Sequence, residues 1–191
     1  VVFTSRDSHL DRRSIRFGPT TNPQLLVNMV RDQFDGDAPD ILVNNNGHTL
    51  GITDPYCSTS DWRDVLDLNL HGAIALSNAC IAWMKQKQWG RIVNIASIAS
   101  LENSGPVPYC VAKAALAAYT HSMGRVLATE CPGIVMSAVC PGVIKTEGGH
   151  WDNAEHTAKY LNDRVPTKRF QTIEEIVGVV AFYCSQQAAA C

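Results

Sequence analysis

The chain has 191 residues, of which 46% are hydrophobic and 18% charged, with a formal net charge of -2. This length fits one domain, and the composition is that of a soluble globular protein rather than a disordered one. The nearly balanced charge gives no electrostatic reason to expect a nucleic acid or a membrane as partner, and no apolar run reaches the length that a bilayer requires.

Short β-branched runs alternate with longer helical patterns along the first part of the chain. The first strands are predicted at Val1–Thr4 and, more weakly, at Ser14–Phe17. Asn22-Pro23 then opens a segment with apolar residues at helical spacing, which Gly36 ends. A third strand follows at Ile41–Val43.

The second part of the chain continues this alternation. Its predicted elements are a helix over 60–86, a strand at Arg91–Ile95, a helix over 108–131, a strand at Ile134–Val139 and a helix over 173–185. Strands this apolar are covered on both faces. The pattern therefore predicts one Rossmann-like α/β domain over residues 1–191, with a doubly wound parallel sheet and helices on both faces.

Tyr109 and Lys113 lie one helical turn apart at the start of the helix predicted over 108–131, so their side chains share a face. A nearby ammonium favours the phenolate and lowers the pKa of a tyrosine towards the working pH. The pair would then serve in general acid/base catalysis. Taken alone, the same spacing also fits a solvated helix face.

Ser97 lies two residues after the strand predicted at Arg91–Ile95. Ligands of open α/β sheets bind at the carboxyl ends of the strands. A hydroxyl there could hydrogen-bond a substrate carbonyl oxygen, although a turn serine that satisfies local backbone is the alternative.

Several motifs occur together in a fixed order: Asn44-Asn45-Asn46-Gly47, Asn69, Ser97, Tyr109-x-x-x-Lys113 and Pro141-Gly142. This set resembles the short-chain dehydrogenase/reductase family, and in particular its 3-oxoacyl-carrier-protein-reductase-like branch. The resemblance implies a nicotinamide-dependent enzyme that interconverts ketones and secondary alcohols.

The resemblance implies four catalytic residues. Tyr109 would give its proton to the carbonyl in reduction and take one from the alcohol in oxidation, while Ser97 orients the substrate oxygen. Lys113 would lower the pKa of Tyr109 and bind the nicotinamide ribose. Asn69 would hold a water that links Lys113 to solvent, and its place inside a predicted helix fits a buried polar role.

The resemblance also implies a row of cofactor contacts. Asn46 replaces the alanine of the family's Asn-Asn-Ala-Gly element, and the segment that ends at Thr146 would meet the nicotinamide carboxamide. The implied cofactor-binding residues are Ser5, Arg6, Asn45, Asn46, Gly47, Ile95, Tyr109, Lys113, Pro141, Gly142, Ile144 and Thr146.

The family's glycine-rich TGxxxGxG turn, which carries the pyrophosphate, is not found in this sequence. Because Val1–Thr4 looks like the family's second strand, the resemblance places the first βα unit and the last strand outside these residues. The stretch from Arg6 to Ser14 is also too short for a crossover helix with its loops. A longer enzyme of about 250 residues is one explanation. A catalytically dead binding or scaffold module is the alternative.

Ser5-Arg6 lies at the end of the strand at Val1–Thr4. The resemblance implies that this position carries either an acidic residue for the ribose 2′-hydroxyl or a basic one for a 2′-phosphate. A guanidinium suits a 2′-phosphate, which predicts NADP(H) rather than NAD(H). Asp7 could bind the 2′-hydroxyl instead if the register shifts by one residue.

Residues 144–170 are predicted to form a substrate lid, since glycines after Thr146 provide a hinge and Trp151 a surface for an apolar or ring substrate. His150 is a second candidate substrate contact.

Carrier-protein reductases carry arginines where this chain has Gln88 and Glu130, which favours a small free ketone or alcohol as substrate. A 3-oxoacyl-carrier-protein reductase is the alternative.

The seven cysteines include no C-x-x-C pair, which favours buried free thiols. The beginning of the sequence shows no signal-peptide pattern, so a cytoplasmic location is expected by default. The sequence predicts no metal site. The family's usual pairing of the helices at 60–86 and 108–131 implies a homodimer or homotetramer.

Overall fold

The structure is a computed structural model that describes residues 3–4, 14–15, 25, 28–29, 31–32, 39–102, 104–144 and 150–190. Its five strands pair in two parallel sets. The first set contains β1 (Phe3–Thr4) and β2 (Ser14–Ile15). The second contains β3 (Ile41–Asn44), β4 (Gly90–Ile95) and β5 (Ile134–Val139), hydrogen-bonded in that order. All five predicted strands and their parallel arrangement are confirmed, and no described strand joins the two sets.

The helices lie between these strands in the chain and after the last one. Their bounds are α1 (Thr59–Leu66), a π-helical turn (Asp67–His71), α2 (Gly72–Lys87), α3 (Ala99–Glu102), α4 (Val107–Glu130), α5 (Ala154–Arg164), α6 (Ile173–Tyr183) and 3-10 turns at His150–Asp152 and Gln186–Ala190. Of the helix predicted over 22–36, the described residues are 25, 28, 29, 31 and 32, and all are helical.

The helix predicted over 60–86 needs correction at both ends and in its middle. It begins at Thr59, because Ser58 caps it through a reciprocal capping box with Asp61. It ends at Lys87, because the C-cap residue Gln88 has a left-handed φ of 54° that stops the helix before Gly90. The π-helical turn divides it, and apolar periodicity does not signal such an insertion.

The core lies between the sheet and the helices α2 and α4. Its buried apolar side chains are Cys80, Ile81, Met84, Ile92, Leu127, Cys131, Ile134 and Met136. Arg91, which alternates with Ile92 on β4, donates to the Ser185 carbonyl oxygen at 2.9 Å, just beyond α6. Since alternate strand residues point to opposite faces, α6 covers the face opposite α2 and α4, and the doubly wound arrangement is confirmed.

The segment 59–87 is apolar enough by composition to cross a membrane, with a mean hydropathy of 1.3 in its best window. This corrects the expectation that no apolar run reaches that length. Half of the window is buried inside the protein. Val65, Leu76 and Met84 are each at most 4% exposed, which is the pattern of a core helix.

A chain of buried amides ties the end of β3 to the helices. The Asn44 side chain donates to the Asn94 side-chain oxygen at 2.8 Å, and the two residues are register partners on neighbouring strands. Asn94 donates in turn to the Thr120 hydroxyl at 2.9 Å, which itself donates to the Leu116 carbonyl oxygen at 2.8 Å. This network fixes the point at which the chain leaves β3 for the segment that lines the site.

Replacing Thr120 with valine is expected to lower the free energy of unfolding by about 1–3 kcal/mol, because a buried Asn94 amide donor loses its acceptor. Thr129→Val is the matched control. Thr129 lies on the same helix and makes the same bond to a carbonyl oxygen one turn back, at 3.2 Å, but is exposed. Urea denaturation of the three proteins measures the difference, and equal losses in both variants would contradict the proposed importance of the network.

Candidate active site

A cleft of about 190 Å³ opens at the carboxyl ends of β3, β4 and β5. Strand ends of parallel sheets are where α/β proteins bind their ligands. The cleft is lined by Asn45, Asn46, Gly47, Ile95, Ala96, Ser97, Tyr109, Lys113, Pro141 and Gly142. Nine of these ten residues were predicted from the sequence as site residues, and the structure brings them together from four separate segments.

Tyr109 enters the cleft from the first turn of α4, where Pro108 is compatible with a helix start. Ser97, the second residue after β4, lines the same cleft. Burial raises the pKa of Tyr109 above its ordinary value, while the neighbouring Ser97 hydroxyl acts in the opposite direction. The phenol is therefore protonated at neutral pH and able to donate.

Lys113 lies under the cleft and is 2% exposed. Its ammonium donates to the Asn46 carbonyl oxygen at 2.9 Å and to the Ile95 carbonyl oxygen at 2.8 Å. Burial lowers the pKa of Lys113 to about 8, and the neighbouring Cys140 opposes this shift.

The Lys113 ammonium is not in direct contact with the Tyr109 phenol. The Lys113 ammonium is 5.8 Å from the centre of the Tyr109 ring and is bound to two main-chain oxygens instead of the phenol. At that separation the effect of burial prevails, and the pKa of Tyr109 is raised.

Asn69 lies in the π-helical turn and is 1% exposed. Its amide donates to the His48 carbonyl oxygen at 3.0 Å and to the Val65 carbonyl oxygen at 2.8 Å, and its oxygen accepts from the His48 amide at 3.2 Å. Asn69 is therefore buried and polar, as expected, and these partners of its side chain are main-chain groups. They hold the segment after Gly47 against the helix.

Gly47 leaves room for both of these side chains. A Cβ at this position would lie 2.6 Å from the Lys113 ammonium nitrogen and 3.1 Å from the Asn69 side-chain oxygen. The side chain of Asn46, which replaces the family's alanine, is partly buried, and its amide nitrogen faces Gly72 at the start of α2.

The wall after β5 is supported by a residue that the sequence analysis missed. The Gly142 amide donates to the Gln171 side-chain oxygen at 2.7 Å. Ile144 forms a parallel bridge with Gln171. Gln171 precedes the capping box that starts α6, and no motif in the sequence marks it as a partner of residues so far upstream.

Some predicted site residues cannot be placed in the cleft. Ser5, Arg6 and Thr146 lie outside the described residues, and so does the side chain of His150. Trp151 packs on His156, Tyr160 and Phe170, with ring centres 5.3, 4.5 and 5.4 Å away. The structure thus places Trp151 in an aromatic cluster rather than in the cleft wall.

The arrangement combines a protonated phenol, a neighbouring hydroxyl and a buried ammonium in one cleft. Its walls are open main chain at Gly47 and Gly142, with the amide side chains of Asn45 and Asn46 at one end. Such a cleft admits a flat, amide-bearing ring close to the backbone and offers polar partners to ribose hydroxyls. The residues present therefore fit the nicotinamide nucleoside part of a dinucleotide.

Comparison with known proteins gives consistent matches. A sequence-family model described as "Enoyl-(Acyl carrier protein) reductase" matches residues 21–191. The chain is 37% identical over 154 residues to the 3-oxoacyl-[acyl-carrier-protein] reductase FabG of Aquifex aeolicus, covering 80% of this chain. It is 34% identical over 173 residues, or 88% of this chain, to the reductase of the same name from Vibrio cholerae.

A solved structure agrees with these sequence matches. The acetoin dehydrogenase from Enterobacter cloacae superimposes with a TM-score of 0.77 at 27% identity, over 94% of this chain and 70% of that one. The chain spans 61% of the length of the Aquifex relative and 69% of that from Vibrio.

Proposed function

The chain belongs to the short-chain dehydrogenase/reductase family, and from this we propose that it is an NADP(H)-dependent oxidoreductase of a small ketone and its secondary alcohol. The observation that carries the proposal is that Ser97, Tyr109 and the buried Lys113 line one cleft, with the Lys113 ammonium 5.8 Å from the centre of the Tyr109 ring. A carbonyl oxygen in this cleft would have a proton donor, a second hydroxyl and a cation near it.

The proposed chemistry assigns one task to each side chain. Tyr109 donates its proton to the carbonyl oxygen in reduction and accepts one in oxidation. Ser97 hydrogen-bonds the same oxygen and stabilises the charge that develops on it. Lys113 stabilises the phenolate left behind and is the candidate partner of a ribose hydroxyl. Asn69 holds the segment that carries the Asn46 carbonyl, one of the two acceptors of Lys113.

The cofactor would lie along the cleft walls. Asn45, Asn46 and Gly47 would contact one end, and Ile95, Pro141, Gly142 and Ile144 the other, as the family resemblance implies. When bound, the nicotinamide donates or accepts the hydride. The protein contributes the proton, the orientation and the exclusion of water.

NADP(H) is proposed over NAD(H) because Ser5 and Arg6 follow Thr4, the last residue of β1. A guanidinium there would pair with a 2′-phosphate. The values of kcat/KM with NADPH and with NADH test this assignment, together with those of Arg6→Leu. A preference for NADH in the unmodified protein would show that the assignment is wrong.

A small free substrate is proposed because the cations near the family's carrier-protein site are already paired. Lys85 forms an ion pair with Glu130 at 2.6 Å, and Lys87 forms one with Asp40 at 2.9 Å. Such pairing weakens attraction to an acidic carrier protein. The acetoin dehydrogenase, named for a small hydroxyketone, supports the same choice.

The second candidate is a 3-oxoacyl-carrier-protein reductase. The names of the Aquifex and Vibrio relatives favour it. Turnover by the full-length protein on a carrier-bound 3-oxo ester and on the matching free ketone distinguishes the two. A strong preference for the bound ester would overturn the first candidate.

The alternative of a catalytically dead binding module is tested by adding NADPH to the full-length protein and following its fluorescence. We expect saturable binding and oxidation of the cofactor when a ketone is added. Absence of binding would contradict enzymatic function altogether and favour the binding module.

Three further assignments belong to the same proposal. Residues 144–170 would form the lid of a single domain, in which Trp151 stabilises the lid through its ring contacts and His150 would face substrate. The helices α2 and α4 would pair two copies into a dimer or tetramer, since five alanines on them are partly or fully exposed: Ala75, Ala79, Ala114, Ala115 and Ala118. A cytoplasmic location would suit the six described cysteines, which are all free.

A further inference from the structure

Gln171 connects two parts of the molecule that the chain separates. On one side it contacts the segment 141–144, which continues from β5 and lines the cleft at Pro141 and Gly142. On the other side its neighbour Phe170 belongs to the aromatic cluster of Trp151, His156, Tyr160 and Phe170. It also lies directly before Thr172, the N-cap of α6.

Gln171 holds the segment 141–144 through both its main chain and its side chain. The Gln171 amide donates to the Val143 carbonyl oxygen at 3.3 Å, which forms the parallel bridge opposite Ile144. The Gln171 side-chain oxygen accepts from the Gly142 amide at 2.7 Å. The main-chain bond is available to any residue type, whereas the side-chain bond depends on glutamine at this position.

The side-chain bond acts on the part of the wall formed by Gly142. A Cβ at Gly142 would lie 3.1 Å from the Gln171 side-chain oxygen, so the side chain is seated closely over this glycine. Gly142 has no side chain of its own to fix it against the sheet. Its amide is therefore oriented by the one acceptor that Gln171 supplies.

The aromatic cluster fixes the other side of Gln171. The Phe170 ring is 5.4 Å from Trp151 in an edge-on arrangement and 6.5 Å from Tyr160. Trp151 and Tyr160 lie on the 3-10 turn and on α5, within the proposed lid. Because Phe170 and Gln171 are neighbours in the chain, a shift of this cluster would also move Gln171.

We infer that Gln171 is a positioning residue, which holds the Gly142 end of the cleft wall at the distance that cofactor binding requires and links this wall to the aromatic cluster. The inference rests on the proposed function, because the ligand expected to contact this wall is the proposed nicotinamide cofactor. Gln171 acts through Gly142 and does not itself take part in proton transfer.

Two substitutions in the full-length protein separate the effect of the Gln171 side-chain hydrogen bond from the effect of side-chain size. Gln171→Met keeps the length of the side chain and removes the acceptor. Gln171→Glu keeps an acceptor oxygen for the Gly142 amide. With Gln171→Met we expect the Kd for NADPH to rise about three- to tenfold, the range of one neutral hydrogen bond. Gln171→Glu should restore a Kd close to that of the unmodified protein.

Hydrogen–deuterium exchange supplies a readout that needs no cofactor. The Gly142 amide should exchange faster in Gln171→Met and at the original rate in Gln171→Glu, and melting temperatures confirm that all three proteins fold. In steady-state kinetics, the KM for the cofactor should rise in Gln171→Met, whereas a merely structural role would reduce the active fraction and leave this KM unchanged.

The possible failures are distinguishable. If the unmodified protein binds and turns over NADPH while both variants match it in Kd and exchange, the inference about Gln171 is wrong and the proposed function stands. If exchange at Gly142 accelerates but the Kd does not change, the inference is likewise wrong, because the wall then moves without consequence. If the unmodified protein binds no nicotinamide cofactor, both proposals are overturned.

Discussion

Replacing Tyr109 with phenylalanine is expected to lower kcat by about a thousandfold, the middle of the range that a positioned general acid contributes. The ring and its packing remain, and only the proton donor is lost. The Ser97 hydroxyl keeps its bond from the Ala99 amide, at 3.1 Å. The Kd for the cofactor should change by less than about twofold, since the removed interaction belongs to the transition state.

Tyr119→Phe is the matched control for this experiment. Tyr119 lies on the same helix, α4, and burial raises the pKa of its phenol as it does for Tyr109. It lies outside the residues that line the cleft. We expect Tyr119→Phe to retain kcat. If Tyr109→Phe retained it too, the proposed acid/base role of Tyr109 would be refuted.

The strands and the catalytic candidates could be predicted from the sequence because each depends on local chemistry. β5 has the predicted bounds, Ile134–Val139, since an apolar β-branched run between turns has few alternatives. Ser97 and Tyr109 could be placed at one sheet edge because parallel strands end on the same side. Their meeting in one cleft then follows from topology.

The features that escaped prediction depend on contacts between distant residues. The π-helical turn at Asp67–His71 adds a residue to a helix whose apolar spacing looks continuous, and it is identified by the bond from the Gly72 amide to the Asp67 carbonyl oxygen. The direction of the Lys113 ammonium depends on two carbonyl oxygens from separate segments, one after β3 and one at the end of β4. Gln171 meets Gly142 through a single bridge between segments that are far apart in sequence, so no pattern within either segment indicates it.

Replacing Gly47 with alanine is expected to lower kcat/KM by about a hundredfold, the cost of a misplacement of about 1 Å in a catalytic site. The added methyl group would lie 2.6 Å from the Lys113 ammonium nitrogen and 2.9 Å from the carbon next to it. Lys113 must then move, and movement breaks a bond to the Asn46 or Ile95 carbonyl oxygen. The φ of Gly47 is outside the left-handed region, so the backbone itself accepts alanine.

Gly72→Ala tests whether the effect is specific, because it adds the same methyl group near the same site. A Cβ at Gly72 would make only ordinary contacts, 3.5 Å from the Asp67 carbonyl oxygen and 3.8 Å from the Asn46 amide nitrogen. We expect Gly72→Ala to keep kcat/KM within about threefold of the unmodified protein, since no buried charge has to move. Steady-state kinetics on both variants measures the contrast, and melting temperatures show that both are folded. Equal kcat/KM values would mean that the position of the Lys113 ammonium does not limit the reaction, and its proposed role beneath the phenol would have to be abandoned.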